Sequence, residues 1–191
     1  MENDFVDMFG PPLAASGSAS IAVRLGEQES GRHLLAAISP GSYDHGFFSV
    51  ASVRENAGDL GAWSTWFPAG AFLFATSVFG MLYVAVGDRM WLANAPYGSI
   101  LPTDFALDKA VARVARASTR DDLLQRPLFE QWRSGSGVLR PDELLALATP
   151  VSEGGKWEVA NFVVTPIDRY LEQSATPFEP LGSIPISMMR P

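Results

Sequence analysis

The feature that most constrains the fold is an uncharged stretch in the middle of the chain, from Leu60 to Gly87. It is longer than the ~20 residues that a membrane-spanning helix needs, so a membrane span competes with a buried sheet. Pro68, Gly70 and Gly80 interrupt the stretch, and residues typical of strands, such as Phe, Val, Tyr and Thr, are abundant in it. These features favour buried strands over a membrane helix.

The end of this stretch has the pattern of a β-hairpin. Two short apolar runs, MLYVAV and RMWLAN, flank Gly87-Asp88, a pair of residues typical of two-residue hairpin turns. In the second run, even-numbered residues beginning with Met90 should lie on one face of the sheet, and odd-numbered residues beginning with Arg89 on the other. The sequence therefore predicts an antiparallel hairpin in the core of a sheet.

The composition is that of a globular protein with an acidic surface. The chain has 191 residues, enough for one full domain or two small ones, and is 47% hydrophobic and 18% charged. Its formal net charge of −7 disfavours direct binding to nucleic acid or to an anionic membrane and favours basic protein partners. The absence of cysteine excludes disulfides and thiolate chemistry and fits a cytoplasmic location. The segment MENDFVDMFGPP carries acids but no Lys or Arg, so we expect no signal peptide.

Helix and strand patterns together predict an α+β protein with a mainly antiparallel sheet and with helices concentrated in the C-terminal half. The small-residue segment Ala14–Ser20 predicts a loop. Helices are predicted at Asp4–Phe9, Gly31–Ile38, about Thr103–Ala117, about Thr119–Arg133, near Pro141 and from Pro166. Thr103 or Asp104 is the expected N-cap of the third of these helices, and its apolar stripe is Leu107, Val111 and Val114.

The sequence contains no arrangement of residues typical of catalysis or metal binding. The zinc-protease, nucleophile-elbow, EF-hand and P-loop patterns do not occur. Adjacent acids such as Asp142 and Glu143 do not face each other on a helix, so they form no acid–base pair. We therefore expect no enzyme activity, no cofactor and no metal. The alternative is a small-ligand-binding domain or enzyme with a pocket near His45, which follows Asp44.

Several segments together resemble a family of bacterial immunity proteins. The central motif of that family is similar to FGMLYVAVGDRMWLANAPYGSI, and its opening motifs are similar to DFVDMFGPP and DHGFFSVASVRENAGDLGAW. Its C-terminal motif and closing helix are similar to LFEQWRSGSGVLRPDELLALATPVSEGG and VVTPIDRYLEQSA. The resemblance extends from about Asp4 to Ala175. The order of strand, hairpin and helices also resembles that of the broader SMI1/KNR4-like immunity superfamily, which is an alternative assignment with the same class of function.

The resemblance implies a function and a division into domains. A GAD-like, sheet-rich domain would span residues 1–102, a helical or mixed C-terminal immunity domain residues 103–176, and a proline-rich tail residues 177–191. Members of the family are associated with type VI secretion and neutralise a cognate toxin, in the best-known case a DNase. By this resemblance the protein would be a cytoplasmic antitoxin that occludes the active surface of a basic toxin. An adaptor protein with similar binding physics is a further alternative.

An inhibitor of a basic toxin needs acidic and aromatic side chains on one surface. Most of the excess negative charge lies in residues 1–104. The predicted toxin-binding residues are therefore taken from the loops of this half: Asp44, Glu55, Asp59, Trp63 and Trp66. A second candidate surface in the C-terminal motif contains Asp142, Glu143 and Glu153.

Overall fold

A computed structural model describes residues 4–13, 19–51, 60–114, 116 and 119–175. Its centre is a six-stranded antiparallel sheet in which each strand pairs with the next one along the chain. The strands are β1 (Gly41–Tyr43), β2 (Phe48–Val50), β3 (Phe72–Ser77), β4 (Met81–Val86), β5 (Arg89–Asn94) and β6 (Ser99–Ala106). A separate antiparallel pair consists of β7 (Glu143–Leu147) and β8 (Phe162–Pro166).

Helices from both halves of the chain surround the sheets. They are α1 (Asp4–Phe9), α2 (Ala19–Gly26), α3 (Glu29–Ala37), α4 (Leu107–Val114), α5 (Arg126–Ser136) and α6 (Ile167–Ser174). The predicted α+β fold with a mainly antiparallel sheet is confirmed. Within the described ranges, three helices precede residue 103 and three follow it, so the predicted concentration of helices in the C-terminal half is seen only in part.

The predicted hairpin at Gly87-Asp88 is confirmed, and both faces of the sheet around it are buried. Strands β4 and β5 pair directly across this turn. On one face, Met90 and Leu92 pack into a large apolar cluster with side chains of α1 to α5. On the other face, Trp91 and Ala93 pack into a second cluster with α6 and the 3₁₀ turn that precedes β3. No helix in the described ranges combines the length and the apolar character that crossing a membrane requires.

Strand β6 extends further along the chain than the sequence predicts. Thr103 and Asp104, the predicted N-cap residues, lie within β6, and α4 begins only at Leu107. The Thr103 hydroxyl donates a hydrogen bond to the carbonyl oxygen of Met90 on β5 at 2.5 Å, which fixes this end of the strand to the sheet. The predicted apolar stripe of α4 is buried. Strand β6 runs across residues 102 and 103, and the division into two domains there stays a prediction.

The chain from residue 143 forms strand β7, although the sequence predicts a helix near Pro141. Leu144 and Leu145 are adjacent and both buried, one in the second apolar cluster and one in the first. A strand places adjacent residues on opposite faces, whereas a helix does not. The backbone N–H of Leu145 also donates to the carbonyl oxygen of Val78 at 2.7 Å, which joins β7 to the end of β3.

Two helical regions also differ from the sequence prediction. Helix α2 begins at Ala19, inside the predicted loop, because Ile21 and Leu25 provide an apolar face that packs into the first cluster. The single helix predicted over Thr119–Arg133 is divided into a π-helical turn, Thr119–Leu123, and helix α5. The break lies at Gln125, whose φ of 57° is incompatible with a continuous right-handed helix.

Candidate functional site

Asp44 and His45 occupy a sharp turn between β1 and β2, with φ angles of 48° and 59°. The Asp44 carboxylate forms an ion pair with Arg126 on α5, and Arg126 Nη2 donates a hydrogen bond to Asp44 Oδ1 at 3.1 Å. Only 10% of the Asp44 side chain is exposed. Burial raises the pKa of Asp44, and the neighbouring Arg126 guanidinium opposes that rise. The acid predicted to meet a toxin is therefore held in an internal ion pair.

Arg126 belongs to a series of ion pairs along α5. It pairs with Glu130 at 3.0 Å, and Glu130 pairs in turn with Arg133 at 2.9 Å. These carboxylates already have cationic partners within the chain, so they offer little free charge to a basic protein. His45 is exposed next to this series, and it lines neither of the two cavities described below.

The predicted tryptophans lie on the opposite side of the sheet from the Asp44 ion pair. Trp63 has an exposure of 0%, and its Nε1 donates a hydrogen bond to the hydroxyl of Ser174 at 3.0 Å. Its 3₁₀ turn, Gly61–Trp66, packs against α6 and encloses the indole in the second apolar cluster. The prediction that Trp63 contacts a toxin is therefore wrong, because its ring is buried in the core. Trp66 is half-buried against the same cluster. The predicted site residues Glu55 and Asp59 lie outside the described residues.

In the second candidate surface, Glu143 is also paired with an arginine of the same chain, whereas Asp142 and Glu153 are exposed. Arg140 donates to the Glu143 carboxylate from its Nε and from its backbone N–H, each at 2.9 Å. Partial burial raises the pKa of Glu143, but the hydrogen bonds and charge of Arg140 outweigh burial and lower the pKa below its ordinary value. Asp142 is exposed, and its carbonyl oxygen accepts a hydrogen bond from the N–H of Ile167 at 2.9 Å. Glu153 is exposed and forms no ion pair with another described residue.

Glu153 lines a groove of about 550 Å³, which we name the Tyr97 groove. Its walls are the 3₁₀ turns Ala95–Tyr97 and Val151–Glu153, residues 146–148 at the end of β7, and Gln173 and Ser174 at the end of α6. The two 3₁₀ turns pack against each other. The groove therefore carries one carboxylate beside an aromatic ring and otherwise mostly small or apolar side chains.

A second cavity, of about 300 Å³, shares Tyr97 with the groove and includes Asp122 and Trp157 in its lining. The rings of Tyr97 and Trp157 stack with their centroids 5.8 Å apart and their planes at 16°. We name this pair the Tyr97–Trp157 ridge. Phe79 packs edge-on against Trp157, with centroids 5.4 Å apart, and Phe162 contacts Trp157 at 5.6 Å. The ridge is thus held on a buried aromatic base, while 54% of Tyr97 stays exposed.

Asp122 resembles Glu153 in its exposure and in its ion pairing. It is exposed and forms no ion pair with another described residue. The candidate site therefore consists of one aromatic stack, of which Tyr97 is exposed, and one acid without an ion pair among the described residues in the lining of each of the two cavities that share Tyr97. Among the described residues, no group of three His, Asp or Glu side chains is placed so that it could hold a metal ion.

Tyr97, Trp157 and Asp122 are not among the site residues that the sequence predicts. The segment APYG does carry a turn signal, since Pro96 opens a 3₁₀ turn and Gly98, with a φ of 62°, ends it. An aromatic residue between these two turn residues is a candidate for exposure. Trp157 carries no such signal, because its partners Phe79 and Tyr97 are distant in the sequence.

The fold belongs to the α+β class, with a sequential antiparallel sheet covered on both faces. A solved structure, described as that of Atu4351 from Agrobacterium tumefaciens, is similar to it with a TM-score of 0.67 and 16% sequence identity. The match covers 93% of this chain and 90% of that chain, so the similarity extends over nearly the whole fold. No protein-family model and no curated protein matches the chain.

Proposed function

We propose that the protein is a cytoplasmic immunity protein that binds a cognate interbacterial toxin and covers its active surface. The observation that carries the proposal is the pair of exposed acids Glu153 and Asp122, which form no ion pair with another described residue and line cavities that share the exposed Tyr97 ring. Carboxylates beside an exposed aromatic ring suit the basic surface of a protein that acts on nucleic acid. The resemblance of the sequence to type VI immunity proteins supports the same function. The proposed partner is a basic type VI effector, with a DNase as the first candidate.

Inhibition by occlusion depends on a rigid surface and on rapid association. A sheet that is packed on both faces supplies a scaffold with little freedom to deform. The net charge of −7 attracts a basic partner over a distance, and such steering can raise association rates toward ~10⁸–10⁹ M⁻¹s⁻¹ at low salt. The proposed complex should therefore associate more slowly as the salt concentration rises.

The test is purification of the tagged full chain from its source bacterium at physiological salt, followed by mass spectrometry of the proteins that purify with it. We expect a stoichiometric basic partner that is toxic when produced alone and harmless when produced together with this chain. An unrelated tagged cytoplasmic protein from the same cells is the control. Purification of the chain without a partner, or a partner whose toxicity the chain does not reduce, would overturn the proposal.

A further inference from the structure

We infer that the Tyr97–Trp157 ridge, together with Glu153 and Asp122, is the docking site for an extended basic segment of a protein partner. The inference rests on the proposed function, because it identifies the part of the surface that the toxin would occupy. It requires three properties of the site: a prearranged aromatic face, free negative charge, and room for long side chains on the partner.

The aromatic face is prearranged. Tyr97 is 54% exposed, and its ring is stacked on Trp157, which is itself fixed by Phe79 and Phe162. A guanidinium group stacks favourably on such a ring, through attraction to the π face and through its own flat shape. Because the ring is already positioned, binding there costs little side-chain entropy.

The free charge separates Glu153 and Asp122 from the acids that form ion pairs within the described part of the chain. Asp44, Glu130 and Glu143 each form ion pairs with an arginine of the same chain. Glu153 and Asp122 have no ion-pair partner among the described residues, and each lines a cavity that includes Tyr97. A cationic group of a partner can therefore pair with these two carboxylates without displacing an existing ion pair.

Two neighbouring cavities can accept two cationic side chains of one extended segment. The groove of about 550 Å³ and the cavity of about 300 Å³ share Pro96 and Tyr97, so they lie next to each other. In an extended chain, side chains at positions i and i+2 project from the same face. A segment with the pattern Arg-X-Arg can thus present one guanidinium to each cavity, with the ridge between them.

The experiment follows the backbone amide chemical shifts of the full chain by NMR during titration with the peptide acetyl-Gly-Arg-Gly-Arg-Gly-amide. The matched peptide with glutamine in place of both arginines is the control. We expect shifts at and around Tyr97, Glu153 and Asp122 with the arginine peptide and none with the glutamine peptide. Shifts spread over the exposed acids of the whole surface would overturn the inference.

Substitutions make the same test quantitative. The double variant Glu153→Gln with Asp122→Asn should weaken peptide binding by about fivefold or more, through loss of both ion pairs. The double variant Glu27→Gln with Asp7→Asn removes the same charge from exposed acids elsewhere and should bind the peptide as the wild type does. Equal weakening by the two double variants would show that only net charge matters, and would overturn the site.

The same variants separate this inference from the proposed function. If the purified toxin binds the wild type and both double variants equally well, the docking site is wrong and the immunity function stands. If the peptide binds at the ridge and no toxin purifies with the chain, the docking site stands and the immunity function is wrong.

Discussion

Replacing Ser30 with alanine should remove two hydrogen bonds of a hydroxyl that connects the β4–β5 hairpin turn with α4. Ser30 is 4% exposed and lies in the first turn of α3. Its hydroxyl donates to Asp88 Oδ1 in the hairpin turn at 2.7 Å and accepts from the N–H of Leu107, at the start of α4, at 3.2 Å. Its backbone N–H also donates to Asp88 Oδ1 at 2.9 Å, so the Asp88 carboxylate acts as a cap on α3.

The size of the effect follows from what Ser30→Ala removes. The N–H of Leu107, a residue with 0% exposure, loses its acceptor, which costs about 1–3 kcal/mol. The bond to Asp88 contributes about 1 kcal/mol, less than is usual for a charged acceptor, because Asp88 is exposed to water. The expected loss of unfolding free energy is therefore about 2–4 kcal/mol. For a chain of this length such a loss lowers Tm by roughly 5–15 °C.

Urea unfolding followed by circular dichroism measures this loss. Ser134→Ala is the matched control, because Ser134 is exposed and its hydroxyl donates only to the carbonyl oxygen of Gln131 in the same helix, at 2.8 Å. The control should change the unfolding free energy by less than about 0.5 kcal/mol. A Ser30→Ala variant as stable as Ser134→Ala would show that the Ser30 hydroxyl contributes nothing to the stability of the fold.

Three further predictions concern other contacts of the fold. Arg126→Met leaves Asp44 buried without its cation and should lower the free energy of unfolding, measured in urea, by about 2–3 kcal/mol. Adding Asp44→Asn should recover part of that loss. Strictly additive effects of the two substitutions would show that the two side chains are not coupled. Gly80→Ala places a Cβ 2.1 Å from the Tyr170 hydroxyl, so it should cost at least about 1 kcal/mol more than Gly10→Ala, which has a similar φ and no atom within 4 Å. The Ser30 hydroxyl lowers the pKa of Asp88, so the carboxylate stabilises the fold above its unfolded pKa and loses that effect as pH falls through the folded pKa. Asp88→Asn should therefore destabilise at neutral pH and have little effect in strong acid, and an equal loss at both pH values would contradict this.

The hairpin is the part of the fold that the sequence predicts best, because its signal is local. The turn pair Gly87-Asp88 and the alternation on either side of it lie within a few residues, and the observed strands β4 and β5 match the two apolar runs. Helix α1 is predicted with the observed bounds for a similar reason, since Gly10 ends it directly. In both places the chain neighbours alone determine the structure.

The elements that differ from prediction depend on distant contacts. Thr103 has the residue type of an N-cap, but its hydroxyl donates a hydrogen bond to the Met90 carbonyl oxygen on the neighbouring strand, and β6 continues to Ala106. Leu144 and Leu145 suit a helix as well as a strand until two separate apolar clusters, one on each side, require them to point in opposite directions. A pattern within one segment does not contain that information.

Which acids of the candidate site are free also depends on distant contacts that the local sequence does not contain. The sequence does not show whether Asp44, Glu153 and Asp122 are paired, whereas Glu143 has Arg140 three residues before it. Folding brings Arg126, 82 residues away, to Asp44, and the charges of Asp44 and Glu143 are then largely satisfied within the chain. The acids able to attract a partner are those that folding leaves without a cation, and within the described part of the chain Glu153 and Asp122 are in that position, each lining a cavity that includes the exposed Tyr97. A binding surface on an acidic protein is therefore defined by where intramolecular pairing is incomplete, which depends on tertiary structure and not on composition.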